Sequence, residues 1–355
     1  MSEELDRIAH GMRRFADEEL QGSSPLYERL ARAIADEPQL LAPLLEAPPT
    51  QRRATLYFAA IHHLLLQGAG QDFARFYPDI TSKPETGDPV PALRAFVADH
   101  ADELVKLYST RNTQTNEVGR CAFLLPMFAR VAARAGRPLA MIEAGASAGL
   151  NLLFDRYFYD YGAAGSVGDP ASPVRLAPEI RGAVQPPVPQ DFPAVASRVG
   201  IDLEPVDVND DDAVAWLRAC IWPEHAARVE LFTNAVEIAR GDPPKVVRGD
   251  FVSLLPEMLE GTSADSPVCV FHTAALAYLP RAERARFGEL LDEAGREREI
   301  YWLAGEGPHI LESLFPDAGI TGPEGGYALV TDRAGHRAHW VGEAAYHGRW
   351  LRWRS

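Results

Sequence analysis

Cysteine is scarce in this chain. Cys121, Cys220 and Cys269 lie far apart, are odd in number and show no CxxC spacing, a pattern that indicates neither a disulfide framework nor a zinc site and fits a reducing compartment. Positive charge is also in deficit. Thirty-five Lys and Arg stand against 50 Asp and Glu, a net charge of -15, and such a surface repels a phosphate backbone. The short basic clusters, Arg281 to Arg286 and Arg349 to Arg354, read as solvated helix and terminal charges, so nucleic acid is not an expected partner. No run approaches the ~18 apolar residues of a membrane span, and the opening MSEELDRIAH lacks the basic-then-apolar layout of a signal peptide. A cytoplasmic protein without a membrane partner is the expectation. Its 355 residues, 46% hydrophobic and 24% charged, have a globular balance and suffice for one large domain or two, with the oligomeric state left open.

What the chain does have is concentrated in Pro138 to Tyr157, PLAMIEAGASAGLNLLFDRY. Leu139 to Ile142 is apolar on both faces, as a strand inside a parallel sheet should be. Glu143 ends it. Gly145 and Gly149 then permit a tight turn and a close backbone approach to a ligand, and Leu150, Leu153, Phe154 and Tyr157 resume at helical spacing. Two chemistries use this shape. S-adenosylmethionine (SAM) methyltransferases carry an acidic residue followed by x-Gly-x-Gly-x-Gly, matched here from Glu143 to Gly149 except that Ser147 replaces the middle glycine. The same serine completes Gly145-x-Ser147-x-Gly149, the nucleophile elbow of α/β-hydrolases, in which a strained turn exposes a serine Oγ.

The surroundings favour the first. Up to residue ~115 the pattern is helical throughout: Leu5, Ile8, Met12 and Phe15 share a face, Ser24-Pro25 reads as a cap and first-turn proline, and Leu56 to Leu66 as a buried helix. His62 and His63 within it read as core or boundary residues. A helix from about Glu117 to Ala135 leads into the glycine-loop strand. Beyond it strands and helices alternate, the signature of a mostly parallel α/β sheet. Val174 to Ile180 reads as a second strand inside a proline-rich insertion near 163–200; Lys245 to Gly249, Val268 to His272 and Ile300 to Ala304 follow. Ala328 to Thr331 and Ala338 to Val341, flanking Asp332 to Gly335, read as an antiparallel hairpin. The expected fold is therefore α/β, with a helical N-terminal cap over 1–115 and a Rossmann-like, seven-stranded methyltransferase-type sheet over 116–355, mostly parallel with a C-terminal antiparallel hairpin.

Ligands of open α/β sheets sit beyond the carboxyl ends of the strands, where strand order reverses. The candidates are accordingly strand-end residues: Glu143, then Glu179 or Asp202, then Asp250, His272 and Glu306. Acidic groups there can accept hydrogen bonds from a cofactor's ammonium, ribose hydroxyls and adenine amine, or can simply cap helices. Glu143, Gly145, Ser147, Gly149, Asn151, Glu179 and Asp250 are the expected SAM-binding set, with Asp250 on the adenine side. His272 or Glu306 is the candidate base beside a small-molecule acceptor. Asn116, Glu117 and Arg120, polar at the start of the preceding helix, and Asp202 are further pocket candidates. A Ser147 hydrolase is the alternative, with His272, His309 or His347 as partner, but it needs strands and an oxyanion loop upstream where the pattern is helical. A non-catalytic binding protein is the third reading. GxGxxG of nicotinamide sites would require glycine or alanine in place of Leu150. Asp210 to Asp212 follow Asn209 at a helix start, where acidic groups favour the dipole, and no metal is assigned.

The segments QTNEVGR (Gln114 to Arg120), EAGASAGLNLLFDRYFYDYG (Glu143 to Gly162), GDPASPVRL (Gly168 to Leu176), RVGIDLEPVDV (Arg198 to Val208), WPEHAAR (Trp222 to Arg228), RGD (Arg248 to Asp250) and HGRWLRW (His347 to Trp353) resemble the bacterial domain-of-unknown-function family 2332. That resemblance runs from the early helices to the C-terminus. It implies a Rossmann-like, methyltransferase-like core and nothing about substrate. Relative to methyltransferases the chain departs at Ser147, and Phe271-His272-Thr273 stands where an Asn/Asp-Pro-Pro-Tyr segment would, which disfavours transfer to a nucleobase or amide nitrogen.

Overall fold

Leu139–Ala144 is buried at every position and forms β1, with a parallel neighbour on each side. The computed structural model describes residues 2–323, 325–334, 336 and 338–354. They fall into two compact units: Met1–Thr115 with Asn209–Glu230, and Asn116–Val208 with Leu231–Ser355.

The first unit is helical among its described residues. Its longer helices are Ser2–Phe15, Pro25–Ala35, Ala54–Leu66, Val90–Asp99, Ala101–Thr110 and Asp211–Ala219. Ser24 accepts the Tyr27 N–H and Pro25 occupies the first turn, the start that Ser-Pro encodes. Ala54–Leu66 is buried almost all round. His62 is fixed within it, 3.1 Å from the Ala219 carbonyl and 3.0 Å from Asp79, which is how a core histidine is accommodated. Asp210 accepts from the Asp212 and Ala213 N–H groups and so caps the helix its acidic run begins.

The second unit is α/β. Its strands are β1, β2 (Phe158–Asp160), β3 (Ser166–Val167), β4 (Arg175–Leu176), β5 (Glu179–Ile180), β6 (Val195–Asp202), β7 (Val246–Arg248), β8 (Val268–Thr273), β9 (Ile300–Glu306), β10 (Gly326–Arg333), β11 (His339–Ala345) and β12 (Trp350–Trp353). Nine of them form one sheet in the order β5-β12-β11-β10-β9-β8-β1-β6-β7, and β3-β2-β4 form a small separate one. From β7 to β9 all pairings are parallel; β9, β10, β11 and β12 then run antiparallel in turn. Helices Cys121–Ala135, Phe251–Glu260, Arg281–Gly295 and Pro308–Leu314 accompany the sheet. Phe251, Leu255, Phe287 and Leu291 join Ile142, Val268, Val270 and Ile300 in one core.

Two expectations about the sheet are corrected. It has nine strands rather than seven: the hairpin is present as β10 and β11, but Trp350–Trp353 adds a third antiparallel strand and Glu179–Ile180 an edge strand. The hairpin's Gly335 lies outside the described residues. The strand beside β1 is Val195–Asp202, not Val174 to Ile180. Val174 to Ile180 splits between the small sheet and the far edge because Pro178 denies it a continuous ladder. Val195–Asp202 hides its role by being only partly buried and carrying Ser197 and Arg198. The Arg198 guanidinium is satisfied by Asp155, at 2.7 and 2.8 Å, and by the Leu152 carbonyl.

Candidate functional site

Chain order along the parallel half reverses between β1 and β8, since β1 leads to β6 and β7 on one side and the chain then returns to β8 and β9 on the other. A crevice at the carboxyl ends of those strands is the site this topology favours. The only non-glycine residues with left-handed backbone among those described are Ser147 (φ 53°) and Ala274 (φ 55°). They follow β1 and β8, one on each side of the reversal. Such conformations cost of order 1–3 kcal/mol and persist where surroundings impose them.

The loop after β1 is held by its neighbours. Asp202, ending β6, accepts the Ser147 N–H at 2.7 Å and the Glu204 N–H at 2.9 Å. Asn116 accepts the Leu150 N–H at 2.9 Å where the chain leaves the loop. Gly145 (φ 76°) and Gly149 (φ 71°) make the turn, but the space their missing side chains leave is taken by protein: a Cβ would meet Ala275 Cβ at 2.7 Å and Pro244 Cγ at 2.8 Å respectively. The glycines thus serve close packing of the loop, where a ligand had been expected to use that space.

Glu143 is buried in β1. Asn151 donates to its Oε1 at 3.1 Å and in turn accepts the Cys121 thiol at 3.3 Å. Its Oε2 is buried without a hydrogen-bond partner. Burial pushes the carboxyl up to about 8, against the opposing pull of the Asn151 amide and the Arg120 charge. Arg120, also buried, donates to the Thr273 carbonyl at 3.1 Å and hydroxyl at 3.2 Å, and its guanidinium lies 5.4 Å from the Tyr327 ring centroid. Glu117 accepts the Gly119 N–H and lies 3.0 Å from His347 Nδ1. Asn116 and Arg120 therefore meet the loops after β1 and β8 directly, while Glu117 joins the segment to residues 346–348.

His272 and Glu306, at the ends of β8 and β9, are both fully buried. The Trp302 indole can only donate, so His272 Nε2 accepts from it at 2.8 Å and the ring hydrogen sits on Nδ1, donating to Glu306 Oε1 at 2.8 Å. Oε1 also accepts the Ala275 and Leu276 N–H groups at 2.8 and 3.0 Å. Both imidazole nitrogens are engaged, so His272 holds the loop after β8 and is not free to act as a base; Glu306 keeps its Oε2 buried without a hydrogen-bond partner.

Asp250 caps Phe251–Glu260, accepting the Val252 N–H at 3.0 Å and the Ser253 hydroxyl at 2.8 Å. It stands just past β7, next to Asp202, whose carbonyl accepts the Gly249 N–H. Glu179 is elsewhere. It is exposed, pairs with Arg181 at 2.7 Å and lies on β5, six strand spacings from β1 or about 30 Å. It is removed from the site because β6, not its own segment, supplies the second parallel strand.

Sequence reading missed Leu203, Tyr278 and Tyr346. These are three of the four large hydrophobic residues exposed among those described, at 65%, 73% and 42%. All three follow strands that end at the carboxyl edge of the parallel half: β6, β8 and β11. Leu203 alone carried a signal, as the apolar residue next to a strand-end acid.

Over residues 9–353 the chain matches the family described as uncharacterized protein conserved in bacteria (DUF2332). It belongs to that family. No curated protein and no solved structure matches it. No helix among the described residues is long and apolar enough to cross a membrane.

Proposed function

We propose that this DUF2332 protein binds SAM, S-adenosylhomocysteine or a closely related nucleoside at the carboxyl edge of its parallel strands and acts in the cytoplasm on a small molecule. The observation that carries the reading is the row Glu143, Asp202 and Asp250 on successive strand ends beside the order reversal, with Glu143 Oε2 buried and unpartnered. A ligand ammonium would donate to Glu143. Ribose hydroxyls would find Asp202, and an adenine ring would lie against Leu203 with its amine toward Asp250. Each of the two aspartates keeps lone pairs beyond those its backbone and hydroxyl donors use. This acceptor set fits a nucleoside with a cationic end, and the Rossmann-like, methyltransferase-type reading of the parallel half rests on the same strand order.

Bound SAM would supply an electrophilic methyl group. The chain's own part is then alignment and exclusion of water, since both nitrogens of His272 are occupied in holding the loop after β8. Calorimetry with SAM and S-adenosylhomocysteine tests the reading: saturable one-to-one heat with a matching rise in melting temperature supports it. Absence of both at millimolar ligand overturns it. Binding without methyl transfer to any acceptor would leave the protein a binder on an enzyme-like fold.

The left-handed Ser147 is the one feature that favours a hydrolase, because a nucleophile elbow stores strain at its serine. Stoichiometric labelling of Ser147 by a fluorophosphonate, abolished in Ser147→Ala, would establish that reading instead.

A further inference from the structure

A cavity of about 1130 Å³ opens beside the helix Arg281–Gly295. Its lining includes Trp302, Phe315 and Leu314 as apolar wall, four acidic groups with Asp292 and Asp332 among them, and Arg296 and His336 as basic ones, so carboxylates outnumber the cations. Asp332 pairs across the ladder with Trp302, near the start of β9. It therefore lies toward the opposite end of the strands from Glu306, and the cavity is distinct from the candidate site above.

The acidic lining alone would mean little, since exposed carboxylates are ordinarily solvated. Asp332 differs. It is 6% exposed, and its Oδ1 is buried without a hydrogen-bond partner. Burial and the charge of Asp292 push its carboxyl up to about 7, with the Arg333 amide and Arg134 acting the other way. A buried carboxylate oxygen without a donor is costly, and a donor bearing positive charge is the one that relieves both causes together. Beside it, the Trp302 and Phe315 rings stand with centroids 4.7 Å apart, an apolar surface suited to a hydrocarbon stem. The described residues contain no cluster of three or more His, Cys, Asp or Glu able to hold a metal ion. An ammonium needs fewer acceptors than a divalent cation.

We propose that this cavity binds a small aliphatic amine, its ammonium received by Asp332 and its methylenes lying against Trp302 and Phe315. The proposal is independent of SAM binding. It is tested by titrating the full chain with 1,5-diaminopentane and with 1,5-pentanediol, which share a stem and differ in charge, followed by calorimetry. Saturable one-to-one binding of the diamine and none of the diol is expected. Asp332→Asn should weaken the diamine at least tenfold while melting as a folded protein, and Ala285→Trp, at an exposed lining position, should weaken it by narrowing the cavity. Glu3→Gln, in the helical unit, controls for the general attraction of a chain of net charge -15 and should bind as the unaltered protein does. Equal affinity for diamine and diol, non-saturable heat, no heat at all, or unaltered binding by Asp332→Asn would each overturn the proposal.

Discussion

The Trp302 indole N–H points at His272 Nε2 from 2.8 Å, and this one bond fixes which nitrogen of a buried imidazole carries the hydrogen. Through that tautomer β9 holds the loop after β8: His272 and two backbone amides converge on Glu306 Oε1, and Ala275 so placed fills the hollow at Gly145. Loops on either side of the strand-order reversal are thereby packed together by groups whose side chains never reach solvent.

Trp302→Phe stays aromatic but removes the donor and one of the two fused rings, so a packing loss adds to the lost bond. His272 Nε2 would then be a buried acceptor without a partner, at a cost of about 1–3 kcal/mol. Denaturant unfolding should show a loss of at least that size with unchanged dependence on denaturant. A fall of only a few tenths would mean that the bond does not fix the ring.

Glu143 makes stability depend on pH. Its carboxyl sits at about 8 in the fold against an ordinary 4.5. Between those values the folded chain keeps a proton that the unfolded chain has lost, so the contribution is fully present below pH 4.5 and is lost as pH rises through 8. The full swing is on the order of 5 kcal/mol. Glu143→Gln, neutral throughout, should flatten this slope and melt higher than the unaltered protein above pH 8. Parallel pH profiles for the two would show that Glu143 is ionised and otherwise stabilised.

Gly348 and Gly119 approach so closely that a Cβ at Gly348 would overlap the Gly119 carbonyl, and Gly348 itself has φ 67°. Both strain and overlap oppose any side chain there. Gly348→Ala should lower stability by more than about 2 kcal/mol, whereas Gly136→Ala, equally left-handed at φ 63° but in open space, should lose about 1 kcal/mol. Similar melting temperatures for the two variants would contradict the close approach of residues 119 and 348.

The parallel strands were legible where burial on both faces leaves an unbroken apolar run, as in Leu139 to Ile142 and Val268 to His272. Val195–Asp202 was not, because Arg198 looks like a surface residue until Asp155 is seen to neutralise it. Strand-end acids were recognisable by position. Their partners were not: whether Asp202 faces a ligand or the Ser147 amide depends on a neighbouring strand whose identity periodicity misassigned. Glycine spacing announced the turn after β1, but only the coordinates of Ala275 and Pro244 reveal that the turn's hollows are filled by protein. The carboxyl-edge position of Leu203, Tyr278 and Tyr346 is a property of topology, which no local pattern carries.

Asp202→Asn tests the proposed nucleoside site apart from loop support. An asparagine that presents its oxygen to the Ser147 N–H keeps that bond but turns its NH2 toward the Glu204 N–H and loses the second, so the free protein should lose about 1 kcal/mol, while the loss of a charged acceptor should weaken S-adenosylhomocysteine by about tenfold through the ribose hydroxyls. Glu143 adds a second reading of the same experiment. A ligand ammonium reaching Oε2 would favour the ionised carboxylate, so binding near pH 7 should release close to one proton, measured as a dependence of the binding heat on the ionisation enthalpy of the buffer. In Glu143→Gln that release should vanish. Tight binding with no proton release would place the ligand's cationic end away from Glu143 and leave Asp202 and Asp250 as the anchors.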